Sequence, residues 1–296
     1  MRTQNVVICL FALVLTAAAQ DKFVPACSSP RYPTPAHSGL AIDAQCVIQG
    51  ASKEVTDNPA EGDQNKAKNN FCAQDPANPV TTADMKALQD KVQADPSINF
   101  GKSAAPTSGG KKTASTKGGK KKGPTRPPGP TTDRSKLRDI DSKLAEGKVG
   151  VFTGYVLIAR QEGAESVNCE LGKPLKGQKT KPADAVLHDI HISLVDSKTT
   201  KNECQSIVAE MSPHHRPAEW TQTNVAKASK AGLQVRVTGQ IFFDSAHDLP
   251  CVGGQPPKTS SGNPVRVALW EIHPIYKFEV SDKGAWKDLS DWVNGK

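Results

Sequence analysis

Apolar and polar residues alternate in five segments of the C-terminal half, a pattern typical of half-buried β-strands. The inward positions of the clearest segment, 233–243, are Val235, Val237, Gly239, Ile241 and Phe243. The other four segments are 149–158, 186–195, 205–211 and 269–280. A helix is predicted at 218–231, between the third and fourth strands, because Pro217 precedes it and Gly232 follows it.

This order of elements predicts a mostly β fold, an OB-like barrel of five strands with one helix after the third strand. A two-layer β-sandwich with one helix is the alternative. The barrel domain is predicted to span 139–296, and the chain before it reads differently.

The N-terminal residues 1–19 have the pattern of a signal peptide. Arg2 precedes an uncharged apolar run at 6–15, and small residues follow at 17–19. The run is too short for a typical membrane span. The sequence therefore predicts a secreted or periplasmic protein without a transmembrane span after cleavage.

Residues 20–101 are polar and are predicted to form a small segment held by disulfides. One helix stands out there: Thr82 is its predicted N-cap, and Asp95-Pro96 ends it. Its apolar stripe consists of Met85, Leu88 and Val92. The next residues, 102–138, are rich in Lys, Gly and Pro and are predicted to be a disordered linker.

Six cysteines remain after the signal peptide, an even number that favours disulfides in an exported chain. They are Cys27, Cys46, Cys72, Cys169, Cys204 and Cys251. Three precede the basic stretch and three follow it. Either one disulfide joins the two halves, or each half keeps one free thiol.

The positive charge is concentrated in the linker. Residues 102–138 carry eleven Lys and Arg against one acid, Asp133, so the rest of the chain is slightly negative although the whole chain is +8. Such a stretch attracts polyanions, either nucleic acid, an anionic polysaccharide or an envelope surface. The alternative is a solvated linker that binds nothing. The candidate binding residues are Lys111, Lys112, Lys120, Lys121, Lys122 and Arg126.

Histidines and carboxylates accompany the predicted barrel strands. Glu271 and His273 are two residues apart on one strand, so they share a face and could ligate one metal ion such as zinc. The full candidate metal set is His191, Asp244, His247, Glu271 and His273. The alternative is that these residues form the solvated outer face of a barrel and that no cofactor is bound.

Four segments read DIHI at 189–192, AEMSP at 209–213, VTGQIFFD at 237–244 and WEIHP at 270–274. On these segments, residues 145–280 resemble a group of uncharacterised secreted bacterial proteins, and AKNNFC at 67–72 is similar to their N-terminal parts. The resemblance implies an exported protein. It points to one site formed by His191, Glu210, Asp244, His247, Glu271 and His273.

The sequence favours a binding module over an enzyme. The leading hypothesis is an exported polyanion-binding protein. A metal-assisted hydrolase and a structural envelope spacer are the alternatives. No nucleotide cofactor is predicted, because the phosphate-loop-like stretch 172–180 has one residue too many before Lys179.

Overall fold

Five strands close into a barrel in the computed structural model, which describes residues 50, 58–73, 76–101, 129–163, 165–168, 188–257 and 265–296. The barrel strands are β2 (Val149–Gln161), β3 (Ile190–Val195), β4 (Ile207–Met211), β5 (Gln234–Phe243) and β6 (Trp270–Asp282). The order around the barrel is β2-β3-β4-β6-β5, and β5 pairs with β2 to close it. β4 and β6 are parallel, whereas the other neighbours are antiparallel. The predicted OB-like barrel is confirmed, and the sandwich alternative is excluded.

Two predicted element boundaries are too early. The second barrel strand begins at Ile190 rather than 186. The helix after the third barrel strand spans Gln222–Lys230, where the Thr221 side chain accepts a hydrogen bond from Asn224 N. The chain at Pro217 forms a turn first, because Trp220 N donates to the Pro217 carbonyl. The helix therefore starts at its capping threonine and not at the proline.

Further elements flank the barrel. The helices are α1 (Pro59–Lys68), α2 (Thr82–Ala94), α3 (Ser135–Arg138), α4 (Gln222–Lys230) and α5 (Leu289–Val293). The additional strands are β1 (Asn78–Val80), which pairs with β2 in parallel, and β7 (Ala285–Asp288), which pairs with β6. The sheet therefore extends past the closed barrel at both of these strands.

The N-terminal segment shares the hydrophobic core of the barrel. The apolar stripe of α2, Met85, Leu88 and Val92, is buried in the same cluster as the inward residues of the barrel strands. The predicted helix is confirmed, with Thr81 instead of Thr82 as the N-cap. Ile98 and Phe100 join that cluster as well. The described part of the segment is thus packed on the barrel.

The prediction of a disordered linker is wrong for its last ten residues. Residues 129–138 are packed, with Arg134 and Leu137 fully buried. The Arg134 guanidinium pairs with buried Glu146 and donates to the Phe243 carbonyl at 2.7 Å. Composition could not predict the burial of these residues, because charged residues are mostly exposed and the sequence does not distinguish a buried Arg–Glu pair from an exposed one.

The two ends of the remaining basic segment, 102–128, lie side by side. Gly129 N donates to the Gly101 carbonyl at 2.6 Å, and Gly101 N donates to the Ser245 carbonyl at 2.8 Å. A Cβ on Gly129 would lie 2.5 Å from the Ser245 carbonyl oxygen and 2.6 Å from Phe100 Cα. Glycine is therefore required at this close approach. The basic segment leaves and re-enters the folded body at one point.

One disulfide, Cys204–Cys251, joins the turn before β4 to the loop after β5. Both cysteines follow the basic segment, so any disulfide of Cys169 must reach the N-terminal half. Cys72 is also disulfide-bonded. Several predicted features lie outside the described residues: the predicted signal peptide, Cys27, Cys46, Cys169 and the six candidate binding residues of the linker. Within the described ranges, no helix has the length and apolar character needed to cross a membrane.

Candidate functional site: a buried charge chain on the barrel

Strand register places three of the polar residues in a row on the outer face of the barrel. β3 and β4 pair His191 with Glu210 directly. β4 and β6 pair Val208 with Glu271 and Ala209 with Ile272, so the next position sets His273 beside Glu210. Because side chains alternate along a strand, all three point away from the core. The row His191, Glu210, His273 crosses three neighbouring strands.

Glu210 is the centre of this row. One of its carboxylate oxygens contacts His191 Nε2, and the other lies 2.9 Å from His273 Nδ1. Glu210 and His273 are fully buried, whereas the His191 side chain keeps 22% exposure. His191 Nδ1 lies 3.3 Å from Glu162 at the rim. The row thus connects the surface to the interior.

The contacts continue from His273 to the opposite rim. Glu271 Oε2 lies 3.5 Å from His273 Nδ1, and its other oxygen contacts Arg266. Arg266 Nη2 lies 3.4 Å from Asp244, and Asp244 lies 3.1 Å from His247 Nε2. Eight side chains therefore form one charge chain, in the order Glu162, His191, Glu210, His273, Glu271, Arg266, Asp244 and His247.

The charges of the chain shift one another's ionisation. Burial on its own would lower the pKa of each histidine, but the Glu210 carboxylate outweighs it and raises the pKa of His191 to about 9 and that of His273 to about 10. Burial works in the opposite direction on Glu210, yet the two imidazoles hold its pKa well below the usual range. Each charge in the row therefore favours the ionised form of its neighbours.

Asp189 lies beside the row, and there the effect of burial on the pKa is not outweighed by nearby positive charges. Burial, followed by the repulsion of Glu165, raises the pKa of Asp189 to about 6. Asn168 Nδ2 donates to its Oδ2 at 3.2 Å, whereas its Oδ1 has no hydrogen-bond partner among the described residues. Asp189, Glu210 and His273 each offer a ligand atom, and these atoms lie within 4.8 Å of one another. This trio, which we call the ligand group, could hold a metal ion.

The N-terminal segment covers the charge chain. From α1, Gln64 donates to Asp244 Oδ1 at 3.4 Å, and buried Lys68 lies 3.1 Å from Glu165. Burial would lower the pKa of Lys68, but nearby carboxylates, Glu165 first, raise it well above its usual value. Gln240 on β5 donates to the carbonyls of Ala67 at 2.7 Å and His273 at 2.8 Å. The outer face is therefore a buried polar interface.

The five residues of the predicted metal set lie in the charge chain, but they do not form one coordination sphere. Only His273 belongs to the ligand group. His191 and Glu271 contact Glu210 and Arg266, while Asp244 and His247 pair with each other. The alternative of a solvated outer face is contradicted at Glu210, Glu271 and His273, which are fully buried.

Sequence reasoning missed Asp189, Lys68 and Arg266 as members of the site. Asp189 had a usable signal, because it precedes His191 by two positions as Glu271 precedes His273. Lys68 lies in the AKNNFC stretch that the resemblance singles out, but no charge pattern marked it, and Arg266 lies outside the alternating strand segments. Glu210 was singled out by resemblance and not by the metal pattern.

Comparisons with protein-family models, curated proteins and solved structures give no match for this chain. The class that the structure itself defines is a closed five-stranded OB-like barrel with a buried His/carboxylate chain on its outer face.

Proposed function

We propose that the protein is an exported binding module for linear polyanions, and that the basic segment 102–128 engages the ligand at the β5–β6 end of the barrel. The observation that carries the proposal is the hydrogen-bonded junction of Gly101, Gly129 and Ser245. Ser245 is the second residue after β5, so the flanks of the basic segment are anchored at the start of the β5–β6 loop.

This position matters because the loop between the last two strands is a ligand-binding element of OB barrels. Residues 102–128 contain eight Lys and Arg and no acid. His247, three residues after Asp244 on the same loop, is partly exposed beside the junction. A polyanion held by the basic segment would therefore meet this end of the barrel.

The same junction argues against an envelope spacer. A spacer must hold its flanking regions apart, whereas the residues on either side of the basic segment contact each other and both pack on the barrel. The hydrolase alternative requires access to the ligand group. Its three residues are fully buried beneath the N-terminal segment, so the structure gives a substrate no direct access to them.

The test is a salt series of fluorescence-anisotropy titrations on the full chain with labelled heparin oligosaccharide, duplex DNA and anionic vesicles. We expect salt-sensitive binding to at least one probe. The variant Lys111→Gln, Lys112→Gln, Lys120→Gln, Lys121→Gln should bind about tenfold or more weakly at about 50 mM salt. For duplex DNA, the slope of log affinity against log salt should become shallower by up to about 4.

The matched control neutralises four exposed lysines of the folded body: Lys198→Gln, Lys201→Gln, Lys227→Gln and Lys230→Gln. It removes the same charge, so it should retain most of the affinity if the basic segment is the binding element. An equal loss of affinity in both variants would show that only the net charge of the chain matters, and it would contradict the proposal. Absence of binding to all three probes would sink it too.

A further inference from the structure

We propose that Asp189, Glu210 and His273 bind a divalent transition-metal ion of the zinc class. Glu210 on β4 and His273 on β6 are neighbours through the strand register, and Asp189 directly precedes β3. Their ligand atoms lie within 4.8 Å of one another, and all three side chains are fully buried.

Unsatisfied polar atoms in the ligand group point independently to a bound ion. Asp189 Oδ1 and His273 Nε2 are buried and have no hydrogen-bond partner within the described part of the chain. An unsatisfied buried polar atom costs about 1–3 kcal/mol. A metal ion bound between the three side chains would coordinate a carboxylate oxygen of Asp189 and a ring nitrogen of His273, and so reduce this cost.

Surrounding contacts hold the ligands in place. Asn168 donates to the second oxygen of Asp189 at 3.2 Å, and the His273 carbonyl accepts from Gln240 at 2.8 Å. Such outer contacts orient metal ligands and are a regular feature of metal sites.

The donor set selects the kind of metal. One imidazole and two carboxylates suit zinc and neighbouring transition metals. Calcium and magnesium prefer oxygen ligands alone and higher coordination numbers. We therefore expect zinc, cobalt or manganese to bind well ahead of calcium or magnesium.

Burial makes the site a structural one. The ion would connect the start of β3 with β4 and β6 beneath the N-terminal segment, and no step of the proposed polyanion binding passes through it. Zinc binding should therefore raise the unfolding temperature of the full chain after chelator treatment. It should do so without any polyanion present.

The experiment titrates zinc into the full, chelator-treated chain by calorimetry and follows thermal unfolding. We expect one zinc per chain and a higher unfolding temperature. Asp189→Asn and His273→Gln should weaken zinc binding about 100-fold or more. The matched control Asp90→Asn, an exposed carboxylate outside the charge chain, should retain it.

X-ray absorption of the zinc-loaded wild-type chain keeps the proposal testable if a variant fails to fold. We expect nitrogen and oxygen ligands with a single imidazole and no sulfur. Sulfur ligation, a zinc-independent unfolding temperature, or equal zinc affinity in the wild type and both ligand variants would each overturn the proposal. Loss of zinc binding in Asp90→Asn alone would place the ion elsewhere and overturn it as well.

Discussion

Asp244 is the residue through which the charge chain, the N-terminal segment and the β5–β6 loop meet. Its carboxylate contacts His247, Arg266 and Gln64. Burial would raise the pKa of Asp244, but His247 and then Lys68 hold it well below the usual range. The folded state is therefore favoured whenever this carboxylate is ionised.

Asp244→Asn removes that charge while preserving the shape of the side chain. At neutral pH we expect the free energy of unfolding to fall by up to about 3–5 kcal/mol, because the variant removes one carboxylate from a buried network of ion pairs. The folded pKa lies below the unfolded value of about 3.9, so the stabilisation is complete above that value and disappears as the pH falls through the folded pKa.

Urea unfolding of the wild type and Asp244→Asn across a pH series measures this difference, which should narrow below about pH 4. The control is Asp90→Asn, which removes an exposed partner of Lys86 and should change stability by about 0.5 kcal/mol or less. A difference that stays constant or widens on acidification would contradict the role given to Asp244.

At the scale of elements, the junction of the basic segment depends on contacts to one residue. Ser245 is fully buried, its carbonyl accepts from Gly101, and its hydroxyl accepts from Thr131 N at 2.9 Å. Its hydroxyl also donates to Gln64 on α1 at 2.6 Å. The two ends of the basic segment and the covering helix are therefore fixed to the same point of the β5–β6 loop.

Gly129→Ala should disturb this junction. The added methyl group would collide with the Ser245 carbonyl and with the backbone of Phe100, so we expect a loss of about 1–3 kcal/mol in unfolding free energy. Gly163→Ala is the matched control, because a Cβ there meets nothing within 4 Å. Chemical denaturation of both variants is the measurement. Equal stability of the two variants would show that the junction accommodates a methyl group at position 129, and it would contradict the close approach.

The barrel could be predicted from the sequence, but the cover on its outer face could not. In each of the five strands apolar and polar residues alternate, and this pattern indicates which face of the strand is buried. The sequence of α1, PAEGDQNKAK, has no apolar stripe that would indicate a buried face. This helix is held by polar contacts of Gln64, Asn65 and Lys68 with residues far away in the chain. Hydrophobic patterning cannot detect an interface made of hydrogen bonds and ion pairs.

The candidate site could also be predicted only in part. Glu271 and His273 share a face because they are two residues apart on a strand, and the structure confirms that they lie together. Their placement beside Glu210 depends on the parallel register of β4 and β6. That register joins strands separated by a helix and another strand, so local patterns contain no trace of it.

At the scale of the whole molecule, the described N-terminal segment and the barrel share one hydrophobic core, so we expect them to unfold as one cooperative unit. Leu88 of α2 is buried in the barrel core. Leu88→Ala should therefore lower the stability of the entire unit by about 2–5 kcal/mol. The control Lys86→Ala changes an exposed position of the same helix.

Unfolding of these variants is followed by tryptophan fluorescence, which reports on the barrel through Trp220 and Trp270. A single transition that shifts in Leu88→Ala and not in Lys86→Ala is expected. If the fluorescence transition of the barrel stayed unchanged in Leu88→Ala, α2 would not be part of the unit.

The central claim is that a polyanion binds where the basic segment joins the β5–β6 loop. Hydrogen–deuterium exchange of the full chain with and without a saturating heparin oligosaccharide tests it most directly. The account predicts that the ligand slows amide exchange at residues 244–248 and at the flanks 99–101 and 129–131. Slowed exchange confined to the exposed lysine-containing stretches 198–201 and 227–230 would contradict it.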